Sequence, residues 1–203
     1  MVQKIMLEMI SWVKAIVLGF VLAFLLSIFI IQPYEVDGSS MEPTLEGRND
    51  LDETLKGDRV ITYKTPYILG ASPEFGDVVV IDSRVNEERT LQDLLLDSPM
   101  ISTLTRQKQK HMWIKRVIGE PGDIIEIKDG VVYRNGSIIE EEYIKEEIYG
   151  ELEATTVPDD MIFVMGDNRN GSTDSRNIGP VPIDHVIGKV ILRYFPFDKI
   201  GQL

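Results

Sequence analysis

The sequence predicts a mainly β fold, an antiparallel β-rich domain preceded by one N-terminal transmembrane helix. Two observations lead to this prediction: a long apolar run near the start of the chain, and short β-branched runs bounded by glycine, proline and aspartate over the rest of it. A length of 203 residues is enough for one domain with a hydrophobic core and this additional segment. We therefore expect residues 1–31 to hold a cytoplasmic N-terminus and the membrane anchor, and residues 32–203 to form an extracytoplasmic β-rich domain.

The apolar run covers residues 15–31, in which Ser27 is the only polar side chain. With Trp12 and Val13 it reaches about 20 residues, enough at ~1.5 Å per residue to cross a bilayer core of ~30 Å. A buried core helix would need a domain that surrounds a helix apolar on every face. A cleaved signal peptide would need small residues at its cleavage site, whereas Gln32 and Pro33 follow the run. We therefore interpret the run as an uncleaved anchor.

Charge predicts how this anchor is oriented. Residues 1–31 carry Lys4 and Lys14 against Glu8, whereas the rest of the chain carries the acidic excess. Because basic residues beside a spanning helix stay on the cytoplasmic side, we expect a single-pass protein of the cell membrane with its N-terminus in the cytoplasm.

Beyond the anchor, several runs have the composition of strands: residues 59–63, 78–81, 113–118, 124–127, 131–134, 137–139, 161–165 and 186–193. Asp129-Gly130 and Asn135-Gly136 supply the positive φ angles of tight hairpin turns, so residues 124–139 are expected to form a meander. Two segments fit this pattern less well. Residues 83–112 are predicted to be an inserted surface segment that is partly helical, and the glutamate-rich stretch 140–153 to be a solvated face.

Composition excludes several classes of site. The chain has no cysteine and only two histidines, which excludes thiol enzymes, disulfide scaffolds and cysteine zinc sites and disfavours a multi-histidine metal centre. Its 33 acidic residues against 21 basic ones give a net charge of −12, the wrong sign for binding nucleic acid through phosphate contacts. No nucleic-acid partner is therefore expected.

A candidate nucleophile lies directly after the anchor. Gly38, Ser39 and Ser40 precede Met41 and the run Glu-Pro-Thr-Leu. An ordinary turn is one interpretation of this serine pair. However, a serine within a few residues of the membrane surface lies where a membrane-embedded substrate emerges, so its hydroxyl is well placed to attack an incoming carbonyl.

A serine nucleophile needs a base to take its proton. His185, which follows an aspartate, would complete a Ser–His–Asp set, whereas His111 lies in the inserted segment. Lysine is the alternative base, provided that burial lowers its pKa by several units. Lys115 has apolar neighbours, and strand alternation puts it on one face with Trp113 and Val117. An edge-strand lysine that discourages aggregation is the structural alternative.

The third constellation is the polar stretch 166–176. Asp174 and Arg176 are expected to pair there, and Ser172 to hydrogen-bond a lysine ammonium, so that the network orients a base. A calcium loop is the competing interpretation, but the aspartates do not follow the EF-hand order.

Taken in order, these segments resemble the type I signal peptidases, membrane-anchored serine proteases that remove signal peptides from exported proteins. Four blocks carry the resemblance: residues 39–45, 76–81, 115–123 and 166–176. With the anchor they span nearly the whole chain, and their order makes the likeness specific. The pattern resembles that of the Gram-positive members, which are small and have one anchor.

The resemblance implies a role for each residue that matches the family's motifs. Ser40, the serine before the methionine, would be the nucleophile, and Lys115, the lysine before the arginine, the general base. Ser172 would help to orient Lys115, and Asp174 with Arg176 would form an ion pair beside the site. Shallow pockets for small side chains would be lined by Tyr34, Val36, Met41, Leu45, Val80, Trp113 and Ile114.

The implied activity is cleavage after small-x-small (Ala-x-Ala) sites, with no cofactor. The implied partners are the signal peptides of secreted preproteins, the lipid bilayer and, as a candidate, the secretion translocon. Some family members carry a serine at the place of Gly38, whose hydroxyl helps to hold the oxyanion; the glycine here leaves the Ser40 backbone N–H and another donor. Two rivals stay open: a Ser–Lys self-cleaving protein on a related β scaffold, and a non-catalytic membrane-anchored assembly or binding factor of the same fold.

Overall fold

The computed structural model describes residues 2–48, 56–98, 101 and 111–203. The chain begins with helix α1 (Val2–Phe29), and α2 (Thr65–Ile68), α3 (Leu91–Leu96) and α4 (Ser175–Ile178) follow it as short helices within the described residues. The strands are β1 (Ile31–Glu35), β2 (Arg59–Tyr63), β3 (Val78–Asp82), β4 (Met112–Gly119), β5 (Ile124–Lys128), β6 (Val131–Arg134), β7 (Ser137–Ile138), β8 (Leu152–Thr156), β9 (Met161–Met165), β10 (Val181–Pro182), β11 (Val186–Phe195) and β12 (Gly201–Gln202).

Antiparallel pairing arranges these strands in two sheets. The larger sheet has the order β1-β2-β11-β3-β4-β9-β10, with β12 paired to β11, and the smaller has the order β7-β6-β5-β8. The predicted fold class, an antiparallel β-rich domain after one N-terminal apolar helix, is therefore confirmed. β4 pairs with β3 on one side and β9 on the other, so its middle residues are shielded by strands on both sides.

Helix α1 is apolar and almost entirely exposed. Among the described residues it is the one helix long and apolar enough to cross a membrane, over Gln3–Phe29. An apolar helix with no protein packed around it is typical of a segment that contacts lipid. The helix ends at Phe29 and β1 begins at Ile31, so the chain enters the sheet slightly before the expected boundary of the anchor.

The two hairpin turns of the smaller sheet have the geometry that their sequences predict. Asp129 and Gly130 have φ values of 52° and 81°, and Asn135 and Gly136 have values of 54° and 77°. Positive φ at both central residues matches the right-handed twist of the flanking strands, which is why Asp-Gly and Asn-Gly favour such turns. The predicted meander of residues 124–139 is confirmed as β5, β6 and β7.

Three clusters of buried apolar side chains form the core. Alternate residues of β3 enter two of them, so both faces of this strand are covered. The first cluster contains Val36, Met41, Leu45, Val60, Val78, Val80, Ile187 and Val190. The second cluster contains Val79, Ile81, Val117, Ile162, Val164, Val181 and Val186. The third joins the smaller sheet to β9 and contains Ile118, Ile125, Ile127, Val132, Ile148, Val157, Phe163 and Met165.

The inserted segment 83–112 is only in part the surface excursion that the sequence predicts. It contains helix α3, which confirms the helical part of the prediction. However, Asp97 and Ser98 are buried, and the Gln32 side chain donates from Nε2 to the Asp97 carbonyl at 2.8 Å. The end of α3 is thus packed against the first strand after the anchor. Residues 99–100 and 102–110 of this segment lie outside the described residues.

The prediction of a solvated face over residues 140–153 is wrong at several positions. Ile148 is buried in the third core cluster, and the Glu141 side chain is 5% exposed because it pairs with a buried arginine. Strand β8 begins at Leu152 and pairs with β5. The density of glutamate concealed these buried positions, because charge runs are usually solvated.

Candidate active site

Ser40 lies in the loop between β1 and β2, and we call residues 36–48 of this loop the serine loop. Met41 and Leu45 fix this loop by burying their side chains in the first core cluster. The loop is closed by backbone hydrogen bonds from Glu42 N to Ser39 O at 3.1 Å and from Leu45 N to Met41 O at 2.9 Å. These contacts therefore fix the backbone around the half-buried Ser40.

Lys115 lies in the interior of β4 and is 3% exposed. Its Nζ is 2.8 Å from Ser40 Oγ, a contact that joins residues 75 positions apart. The ring centroid of Trp113 lies 5.6 Å from the same Nζ, on the face that strand alternation predicts for both side chains. The structure therefore brings together the serine and the lysine that the sequence singled out.

Burial lowers the pKa of Lys115 from 10.5 to about 8. The loss of hydration is the main cause, because a buried ammonium cannot recover the solvation it has in water. The carboxylates of Asp174 and Asp167 act in the opposite direction, and the guanidinium of Arg176 adds to the lowering. A lysine of this kind is partly neutral at mildly alkaline pH, which a general base must be.

Gly166 brings the fourth block, residues 166–176, against the serine loop. A Cβ at this position would lie 2.4 Å from the Ser40 carbonyl oxygen and 2.3 Å from Ser172 Oγ, both far inside contact distance. Any larger residue would separate β9 and the stretch after it from Ser40. A glycine is therefore required here for close approach rather than for a special φ angle.

The expected pair of Asp174 and Arg176 is present. Asp174 accepts from Arg176 Nε at 2.8 Å and from Nη2 at 2.7 Å, and its carboxylate is fully buried. It also accepts from the Gly166 backbone N–H at 3.0 Å and caps helix α4. The pair thus fixes Gly166, and through it the approach to Ser40.

Ser172 lies against Gly166, next to Ser40, but it does not hydrogen-bond Lys115 as the sequence predicts. Its hydroxyl donates to the Thr173 carbonyl at 3.5 Å, and the described residues include no hydrogen bond between Ser172 and Lys115. The side chain is placed by contact with Gly166 instead. Its role toward the lysine stays a prediction.

Two residues that sequence reasoning missed support the serine loop. Asn168 donates from its backbone N to Ser40 O at 3.1 Å and from Nδ2 to Ser39 O at 3.0 Å. The buried Asp167 accepts from Arg116 Nη2 at 2.7 Å and also from the Thr44 hydroxyl. The only signal for them was their place in the fourth block. Their partners in the serine loop are more than a hundred residues away along the chain, and Arg116 is about fifty residues away.

Among the described contacts, neither histidine hydrogen-bonds Ser40. His185 is buried, and its Nδ1 lies 3.3 Å from the Asp82 carbonyl, while His111 Nε2 lies 3.4 Å from Asp97. Ser40 Oγ is hydrogen-bonded to Lys115 rather than to His185. Among the described residues, no group of three or more acidic or histidine side chains is placed to hold a metal ion.

The structure brings six of the seven predicted pocket residues together and separates the seventh. Val36, Met41, Leu45 and Val80 belong to the first core cluster, and Tyr34 and Ile114 pack against it. Trp113 packs against the second cluster instead. The reason is that neighbouring residues of a strand point to opposite faces, so Trp113 and Ile114 cannot line the same surface.

Gly38 of the serine loop has φ = 74°, a conformation that favours glycine. Its backbone N–H donates to Arg48 O at 3.3 Å. A Cβ here would meet no atom within 4 Å, so the conformation rather than the available space restricts this position.

A family model described as "Signal peptidase, peptidase S26" matches residues 9–195, which include every candidate site residue. The chain belongs to this signal peptidase family. A Synechocystis protein named "Probable signal peptidase I-1" is 35% identical to it over 191 residues, which cover 94% of this chain and 85% of the relative. Signal peptidase I of Bacillus licheniformis is 34% identical over 203 residues, which cover 95% of this chain and 91% of the relative.

As a signal peptidase of this family, the chain is a serine peptidase. Its relatives span nearly the whole chain, the apolar helix included, and the predicted family resemblance is confirmed. A solved signal peptidase I from Enterococcus faecalis V583 is 30% identical and covers 58% of this chain and 95% of its own, with a TM-score of 0.41.

Proposed function

We propose that this signal peptidase removes N-terminal signal peptides from exported preproteins, with Ser40 as the nucleophile and Lys115 as the general base. The observation that carries the proposal is the 2.8 Å distance between Ser40 Oγ and Lys115 Nζ, at a lysine that is almost fully buried. The names of the relatives, signal peptidase I, support the same class of substrate.

In the proposed reaction, neutral Lys115 takes the Ser40 proton as Oγ attacks the scissile carbonyl carbon. Lys115 then gives this proton to the leaving amine, the C–N bond breaks, and an ester joins the substrate to Ser40. In the second half, Lys115 takes a proton from water, whose oxygen attacks the ester carbonyl. The bond between the acyl carbon and Ser40 Oγ then breaks, Lys115 returns the proton to Oγ, and the acid is released. Ser172 and Ser40 both lie against Gly166. Ser172 is proposed to orient the lysine during these transfers.

The oxyanion formed in each half needs donors aimed at the place where charge develops. The Ser40 backbone N–H is one proposed donor. Gly38 offers no side-chain hydroxyl, and its own N–H is already directed to Arg48 O. Removing one such donor from a serine protease costs ~2.7–4 kcal/mol, so a second donor beside the Ser40 N–H is part of the proposal.

Specificity for small side chains is proposed to come from the first core cluster next to Ser40. Met41 directly follows Ser40 and Leu45 lies further along the serine loop; both are fully packed in one cluster with Val36 and Val80. Substrate side chains that reach this surface meet a close-packed wall, and overfilling such a pocket costs ~1–3 kcal/mol. Small-x-small sites such as Ala-x-Ala would fit without displacing it. Trp113, which packs elsewhere, is proposed to shield Lys115 instead.

Helix α1 is proposed to anchor the enzyme in the cell membrane with its N-terminus in the cytoplasm. Its exposed apolar surface supports the anchor, and Lys4 and Lys14 in its N-terminal half support the orientation. Residues 32–203 would then form the peptidase domain outside the membrane, with Ser40 a short distance beyond the end of α1. The lipid bilayer is thereby a partner, and the secretion translocon a candidate partner that delivers the preprotein.

The test is cleavage of a preprotein with an Ala-x-Ala site, in detergent or lipid, by the wild-type chain and by Ser40→Ala. We expect cleavage after that site by the wild type and none by the variant, with both chains folded. Wild-type inactivity on several such substrates would favour the non-catalytic binding factor. Wild-type-like cleavage by Ser40→Ala would exclude Ser40 as the nucleophile.

A further inference from the structure

The stretch between β7 and β8 contains two side chains that the proposed mechanism does not use. The side chain of Glu141 is 5% exposed, and Tyr143 is half-buried, in a segment whose composition predicts a solvated face. Both side chains contact residues that lie next to the dyad in the sequence or in space. The smaller sheet therefore reaches the active site through this stretch.

Glu141 holds the guanidinium of Arg169, whose side chain is fully buried. The carboxylate accepts from Arg169 Nη1 at 2.6 Å and also from Nη2, a bidentate pair. The remaining donor, Arg169 Nε, is directed to the Gly166 carbonyl at 3.1 Å. Arg169 thus ties Glu141 to the glycine that lies against the Ser40 carbonyl.

Tyr143 holds the second arginine beside the dyad. Its ring centroid lies 4.0 Å from the guanidinium carbon of Arg116, and its hydroxyl donates to Glu141 at 2.8 Å. Arg116 follows Lys115 in β4 and is paired with the fully buried Asp167. An aromatic ring over a guanidinium stabilises the cation and excludes water from its ion pair.

Arg169 belongs to the turn formed by residues 166–169, and Arg116 pairs with Asp167 of the same turn. This turn supports Ser40, the proposed nucleophile. Asn168 donates from its backbone N and from Nδ2 to the carbonyls of Ser40 and Ser39. Asp167 accepts a hydrogen bond from the hydroxyl of Thr44, which also lies in the serine loop. The position of Ser40 is therefore fixed by the turn, and the turn is fixed from its other side by Glu141 and Tyr143.

We propose that Glu141 and Tyr143 are positioning residues that hold the 166–169 turn in the arrangement in which Ser40 faces Lys115. Neither side chain touches Ser40 or Lys115 among the described contacts, so they act through Arg169, Arg116 and the turn. This inference rests on the proposed function for its effect on catalysis. Its structural part, the support of the turn, stands on the contacts alone.

The same stretch offers a matched control. Lys145 pairs with Glu42 of the serine loop at 2.9 Å, but the Lys145 side chain is half-exposed. Exposed pairs contribute little because water screens them and two long side chains must be ordered. Removing the Glu141 carboxylate charge, by contrast, leaves a buried guanidinium without its counter-ion, which is strongly unfavourable.

The first measurement is steady-state cleavage of the Ala-x-Ala preprotein by the full chain and its variants. For Tyr143→Ala and Glu141→Gln we expect kcat to fall by about tenfold or more while KM changes by less than about threefold, since the substrate surface is untouched. Tyr143→Phe keeps the ring over Arg116 and should restore kcat to within about threefold of wild type. Lys145→Ala should retain wild-type kcat. An effect on KM alone, or unchanged kcat in Tyr143→Ala and Glu141→Gln, would overturn the proposal.

The second measurement is hydrogen exchange of the Asn168 backbone amide, which does not depend on activity. In Tyr143→Ala and Glu141→Gln this amide should exchange at least about tenfold faster than in wild type, while Lys145→Ala leaves it unchanged. Unchanged exchange in both variants contradicts a clamping role even if cleavage is never observed. Faster exchange with no cleavage by the wild type would support the clamp and reject the proposed activity, so the two failures are distinguishable.

Discussion

Lys115 and Lys64 occupy two regions of the larger sheet, and burial lowers the pKa of each from 10.5 to about 8. Lys115 lies within β4, and Lys64 directly follows β2, near the end of the apolar helix. They are 3% and 1% exposed, so loss of hydration is the main cause in both places. By burial and pKa alone the two lysines are equivalent.

Their neighbours differ in chemistry. Lys115 Nζ meets the Ser40 hydroxyl, whereas Lys64 Nζ donates to the Gln32 side-chain carbonyl at 3.0 Å. Gln32 in turn donates to the Asp97 carbonyl, so the Lys64 network joins β1 to the end of helix α3. The comparison teaches that a lowered lysine pKa reports burial, and that a base is identified by the nucleophile beside it.

The largest expected difference between the two regions is in cleavage. Lys115→Met keeps the volume and the apolar stem but removes the proposed base, so we expect the rate of preprotein cleavage to fall at least ~1,000-fold. Lys64→Met makes the same change at a site without a nucleophile and should keep cleavage within about threefold of wild type. The assay is cleavage of an Ala-x-Ala preprotein by folded chains in detergent. If Lys115→Met still cleaves, Lys115 is not the base.

The second expected difference is in pH dependence. Because the neutral lysine is the active form, kcat/KM should rise about tenfold per pH unit up to the Lys115 pKa of about 8, and then level off. Lys64 titrates in the same range, but Lys64→Met should leave the midpoint unchanged because Lys64 does not contact Ser40. The measurement is kcat/KM between pH 6 and 10 for both chains. A flat profile, one that rises toward acid, or a midpoint that moves in Lys64→Met would contradict the assignment.

The two regions also differ in how much the sequence could predict. The strands and hairpins followed from β-branched runs and from Asp-Gly and Asn-Gly pairs, since these signals are local. Ser40 and Lys115 were predicted from residue chemistry and a family resemblance. Lys64 carries no such signal, because its burial depends on Gln32 and on an inserted segment whose packing the sequence does not show.

What escaped prediction in the active site depends on distant contacts in the same way. Asn168 supports Ser40 from more than a hundred residues away, and a polar loop residue gives no sign of its partner. Glu141 was concealed because one buried glutamate among many solvated ones has the same local composition. Trp113 was assigned to the pocket by resemblance, although strand alternation already placed it opposite Ile114.

The smallest expected difference is in stability, and it has a defined sign. A lysine whose pKa falls from 10.5 to about 8 on folding disfavours the folded state at every pH at which the unfolded chain is protonated. Lys115→Met should therefore raise the free energy of unfolding at pH 7 by up to about 3 kcal/mol, although the variant is inactive.

This gain should be complete below about pH 8 and should disappear as the pH approaches 10.5, where the lysine of the unfolded chain is also neutral. Lys64→Met removes a similar penalty but leaves the buried Gln32 Oε1 without its donor, which costs about 1–3 kcal/mol, so its gain should be smaller. Urea unfolding of the three chains in detergent at pH 7 and pH 10 measures both effects. Equal gains would show that the Gln32 contact contributes nothing to stability. A loss of stability in Lys115→Met would mean that Asp174 and Asp167 stabilise the Lys115 ammonium by more than burial penalises it. In that case folding would not lower the pKa of Lys115, and the equivalence of the two lysines, on which the choice of Ser40 as the distinguishing neighbour depends, would be lost.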